Sequence, residues 1–121
     1  MRSPLVGATL ARAMGQAVTA WAVGLHLLSP GQASPFVVVF AVVALAVTLR
    51  RAPSFRSHAA ACFGAAMLAT GVVSGWLADS GLLLLTGSGR LEIPVSYLLL
   101  TVAAVLYGMS GAFFWLLRED S

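Results

Sequence analysis

Four long apolar runs, separated by short stretches rich in proline, glycine, serine and arginine, constrain this chain more than any other feature. Crossing the ~30 Å hydrocarbon core of a bilayer takes about 20 apolar residues in helical form. The runs therefore predict helical spans at about residues 9–28, 35–49, 58–77 and 94–117. The second is short, and its flanking Arg50 and Arg51 extend its reach by snorkelling. Between the first two spans lies Ser29-Pro30-Gly31-Gln32-Ala33-Ser34-Pro35, whose prolines and glycine end any ordinary helix. Ser34 suits a helix N-cap and Pro35 the first helical position. Of the 121 residues 60% are hydrophobic and only 9% charged. Soluble domains carry about 25% charged residues, and disorder requires low hydrophobicity. The expected fold is an all-α integral membrane protein, a single four-helix transmembrane bundle over residues 1–121.

Charge placement sets the expected orientation. The seven cations are all arginine. With four alternating spans, Arg2, Arg12, Arg50, Arg51, Arg56 and Arg118 fall on one side and Arg90 on the other. The positive-inside rule then puts both termini in the cytoplasm, and so strong a bias argues against dual topology. The chain has no lysine, no asparagine and a single isoleucine, Ile93, which suggests GC-rich coding and a bacterial inner membrane. Trp76 and Tyr97 suit the outer interface and Trp115 the inner one, whereas Trp21 falls mid-span. Arg2 and Arg12 followed by an apolar run also resemble a signal peptide, with Gly31-Gln32-Ala33 as a cleavage site. An uncleaved helix is the preferred reading, since cleavage would leave an odd number of spans and spoil the charge pattern.

Residues 82–93 allow two readings. A break near Asp79-Ser80-Gly81 is favoured, leaving Leu82 to Leu85 on the membrane or against a partner and a small hairpin beyond. Alternatively the third helix continues to Leu85.

The first span carries the polar residues. Thr9, Arg12, Gln16, Thr19 and His26 recur at helical spacing and share one face, with Val23 filling the gap. Polar groups are costly in hydrocarbon, so this face points into protein or water. It is either a track for an anion or proton or a set of interhelical hydrogen bonds, which Tyr107 and Ser110 of the fourth span are suited to join. Small-residue rows mark helix-packing faces: Gly7, Ala11 and Gly15 in the first span, and Ala61, Ala65 and Ala69 with the pair Gly71 and Gly75 in the third. Ala104, Gly108 and Ala112 make such a row in the fourth. The second span, nearly all Val, Ala, Leu and Phe, reads as the lipid-facing one.

His26 and His58 are the only imidazoles and fall at opposite sides of the bilayer, so they share no metal or haem; each is a candidate single ligand only. The lone Cys62 allows no internal disulfide and reads as a small buried hydrophobe. There is no nucleophile elbow, no HExxH and no phosphate-binding glycine loop. Seven scattered arginines make no nucleic-acid footprint. No enzyme activity, cofactor or metal is therefore expected, and the expected partners are membrane lipid and other membrane subunits. Three functions fit: an accessory subunit of a larger respiratory or transport complex, preferred; a homo-oligomeric transporter or channel using the polar face; or a haem- or quinone-associated electron-transfer subunit.

Overall fold

Each apolar run folds as one helix. In this computed structural model the described residues are 2–28, 35–50, 54–85 and 95–118. They form α1 (Arg2–Leu28), α2 (Pro35–Leu49), α3 (Phe55–Leu85) and α4 (Val95–Leu116). α1 starts well before residue 9 because Pro4 lies in its first turn, where a missing N–H forfeits no intrahelical bond. α2 opens on Pro35 as expected, while Ser34 lies outside the described residues. Ser54 caps α3: its Oγ accepts the Ser57 N–H at 3.2 Å, and its carbonyl accepts the His58 N–H at 3.2 Å.

The favoured break at Asp79-Ser80-Gly81 is corrected by the structure, in which α3 runs through those residues to Leu85. A lone glycine costs a helix only about 1 kcal/mol, no proline interrupts the backbone ladder there, and four leucines of high helix propensity follow. The proposed hairpin at 86–93, with Arg90 and Glu92, lies outside the described residues.

The helices alternate in direction. α4 packs against α1 and α3, and α2 packs against α3 and α1, so the four form a square with α1 and α3 on one diagonal. The start of α1, the end of α2, the start of α3 and the end of α4 share one end, here called the arginine end. The all-helical bundle is thus observed. Two of its helices are long and apolar enough to cross a membrane, at Phe55–Ala78 and Val95–Leu116; α2 is shorter, with 15 residues. At 1.5 Å per residue, α3 is about 46 Å long and α2 about 22 Å.

The interior is built from small residues around a few large rings. One cluster gathers Ala22, Val37, Phe40, Ala65, Leu100 and Tyr107; a second, toward the arginine end, gathers Ala8, Ala59, Cys62 and Phe114. Glycines make room for the rings. A Cβ on Gly15 would lie 3.1 Å from the Tyr107 ring, and one on Gly7 would lie 3.3 Å from Phe113. Gly111 does the same for Phe63, at 2.9 Å. Gly71, Gly75 and Gly108 differ from the packing role read from sequence, since a Cβ on any of them meets nothing within 4 Å. Ala112 is likewise exposed. Small residues permit close approach but do not choose which row a neighbour meets.

Candidate functional site

Most of the polar face of α1 is turned into the bundle. Beginning at the arginine end, Arg12 is half-buried and its Nη1 lies 3.1 Å from His58 Nδ1 on α3. A guanidinium only donates, so Nδ1 accepts and the ring proton sits on Nε2 in this arrangement. Both side chains pack on Phe114: His58 stacks at 5.0 Å between centroids, and the Arg12 guanidinium lies 5.3 Å from the ring centre. Nearby, the buried Cys62 Sγ donates to Ser110 Oγ at 3.5 Å, and Ser110 donates onward to the Ala8 carbonyl at 2.6 Å. That chain ties α3 to α4 and α4 to α1. Cys62 is as buried as its apolar surroundings suggested, and it also has a hydroxyl partner.

One turn deeper, Gln16 Nε2 donates to Thr48 Oγ1 on α2 at 2.9 Å, and Thr48 donates to the Ala44 carbonyl at 2.6 Å. Thr19 is fully buried and donates to the Gly15 carbonyl at 2.7 Å. Its oxygen therefore accepts from the Tyr107 hydroxyl, 3.1 Å away. At the opposite end His26, also buried, lies 3.4 Å from Ser96 Oγ through Nδ1 and meets Tyr97 edge-on. Thr9 stays outside this set: it is exposed and returns its hydroxyl to the Leu5 carbonyl of its own helix at 2.9 Å. Trp21 also faces outward, at 59% exposure.

The structure thus joins Arg12, Gln16, Thr19 and His26 to partners on three different helices. Tyr107 and Ser110 meet α1 in the way their polarity suggested. Sequence reasoning missed Thr48, Ser96 and the Arg12–His58 contact. Thr48 is the only polar side chain of α2, which was a signal that it needed a partner. Among the described residues no buried side-chain nitrogen or oxygen lacks a hydrogen bond. His26 and His58 sit at opposite ends of the bundle, and among the described residues no group of three metal-ligating side chains occurs.

Three grooves with mainly apolar walls lie on the outside of the bundle. A groove of about 580 Å³ opens between α2, α3 and α4, lined by Phe36, Leu68, Gly71, Gly75, Trp76 and Tyr97. Trp76 and Tyr97 stack at its far end, 5.0 Å apart and 22° from parallel. Gly71 and Gly75 thus border open space because the adjoining helices leave this groove between them. Two smaller grooves lie toward the arginine end, one along α2 and α3 and one between α3 and the end of α4. No family model, curated protein or solved structure matches this chain.

Proposed function

We propose that the protein is embedded in a bacterial inner membrane with both termini cytoplasmic, and that it serves as an accessory subunit of a larger respiratory or transport complex. The observation that carries this reading is the contrast between interior and surface. Inside, the buried polar side chains of the described residues bond to one another or to helix carbonyls. Such interhelical bonds stabilise and specify a bundle in hydrocarbon, and they leave Gln16, Thr19 and Tyr107 holding helices together.

Outside, large apolar side chains are uncovered on every helix, among them Leu10, Trp21, Phe36, Val42, Met67 and Leu116. A soluble monomer rarely exposes so much contiguous apolar surface, whereas a bilayer or a neighbouring subunit covers it at no cost. The arginine bias supplies the orientation, with six of the seven on the side of both termini and only Arg90 in the opposite loop.

The test is purification from the source membrane in mild detergent, through a tag at the C-terminus, followed by native mass spectrometry. Stoichiometric foreign subunits are expected. A pure homo-oligomer would overturn the accessory role, and flux through it that vanishes in Arg12→Ala would put a transporter in its place.

A further inference from the structure

We propose that the two grooves flanking Ala60 hold the acyl chains of one anionic diacyl phospholipid, whose phosphate is met by Arg50 and Arg56; this rests on the membrane-embedded reading above. The first groove, about 360 Å³, runs along the seam of α2 and α3 with Val43, Val47, Ala61 and Gly64 as walls. Arg50 and Ser57 stand at its mouth and Leu68 closes it below. The second, about 420 Å³, is bounded by Phe63 and Trp115 with Arg56 at its edge. Ala60 lines both, so a single exposed methyl group is all that its side chain puts between them.

Charge and length choose the occupant. Arg50 and Arg56 are both exposed, one at the edge of each groove. Ser57 adds a hydroxyl: its oxygen accepts from Ser54 Oγ at 3.2 Å, which leaves its own proton to donate. The start of α3 points its first N–H groups and the positive end of its dipole the same way. Below this cationic, donor-rich mouth the walls are wholly apolar. From Ser57 to Leu68 α3 rises about 17 Å, roughly half of the ~30 Å core and hence the depth of one leaflet. An anionic headgroup carrying acyl chains matches the cationic mouth and the apolar walls together, whereas a purely apolar transmembrane segment would leave both guanidinium groups without a counter-charge. Basic sites between helices at the cytoplasmic face are suited to such headgroups.

The experiment is native mass spectrometry of the full chain in nonionic detergent with added dioleoyl phosphatidylglycerol or dioleoyl phosphatidylcholine, whose chains are identical. Retention of phosphatidylglycerol over phosphatidylcholine is expected. Arg50→Gln with Arg56→Gln should weaken it roughly tenfold to thirtyfold, while Arg90→Gln, which removes a charge from the α3–α4 loop, should leave it unchanged. Ala60→Trp keeps every charge and fills the exposed ridge between the grooves, so it should weaken retention as well; circular dichroism checks that each variant keeps its helices. Equal retention of the two lipids, or no effect of the double variant, would overturn the proposal. So would full competition by inorganic phosphate, which would leave an anion site without acyl chains. Release of the protein from membranes by alkaline carbonate without detergent would instead overturn the embedded reading itself, and the two failures are thereby distinguished.

Discussion

Where α1 meets α4, Tyr107 seats over Gly15 and Phe113 over Gly7, and Thr19, Tyr107 and Ser110 bond across the contact. Along the opposite seam α3 presents Gly64, Gly71 and Gly75, on any of which an added Cβ would meet nothing within 4 Å, and α2 has Thr48 as its only polar side chain, already engaged by Gln16 of α1. Both faces are rich in small residues, yet one is interlocked and the other is grooved. The difference lies in what each partner helix brings. α4 supplies rings whose size matches the glycine gaps and hydroxyls that need a donor or acceptor. α2 supplies branched aliphatics and stops after 15 residues beside a helix of 31, so it leaves part of α3 uncovered. Small residues are therefore necessary for close helix contact and insufficient without a complementary ring opposite.

Substitutions at three glycines test that distinction most directly, with stability read as the midpoint of unfolding in mixed detergent. Gly15→Val should be the most damaging, at about 2–3 kcal/mol, because Tyr107 is fully buried and held by Thr19 and has nowhere to move. Gly111→Val should cost only about 1 kcal/mol despite the shorter 2.9 Å approach, since Phe63 is 39% exposed and its ring can swing outward. Equal losses at the two sites would mean that distance alone, rather than the freedom of the opposing ring, governs these contacts.

Arg12→Met should fall between those two glycine variants, at about 1–2 kcal/mol, because His58 Nδ1 loses its donor and Phe114 loses the guanidinium lying 5.3 Å from its ring centre. A cost near zero would show that the Arg12–His58 contact adds nothing to the bundle. A smaller effect is expected for the pair Thr19→Val and Tyr107→Phe, whose double-mutant coupling should lie at about 0.6–1.7 kcal/mol. Strict additivity would remove that bond from the account. Gly75→Val should change stability least, by less than about 0.5 kcal/mol, as it faces the open groove. A loss as large as that at Gly15 would mean that the α2–α3 seam is closed in the folded protein.

Much of this was legible before any coordinates. Helix-length apolar runs, with Pro35 opening the second, predicted four helices, because no other element satisfies its backbone over such lengths of apolar chain. The 3.6-residue period put Thr9, Arg12, Gln16, Thr19 and His26 on one face, and their polarity required that face to find partners, which all but the exposed Thr9 do on other helices. The helix boundary at Asp79-Ser80-Gly81 was misread, since a glycine without a neighbouring proline weakens a helix without stopping it.

Which partner each side chain finds is a different kind of information. Periodicity assigns a residue to a face of its own helix, but says nothing of the rotation of the next helix or the level at which it crosses. That Gly111 rather than Gly108 receives a ring depends on the rotation of α4 against α3. That His58 reaches Arg12, across the diagonal of the square, depends on α1 and α3 starting at the same end and on Phe114 spacing them. Local spacing along the chain specified the elements and their polar faces. The contacts among rings, glycines and hydroxyls were decided only by how four helices fill space together, because each contact joins residues that no sequence period relates.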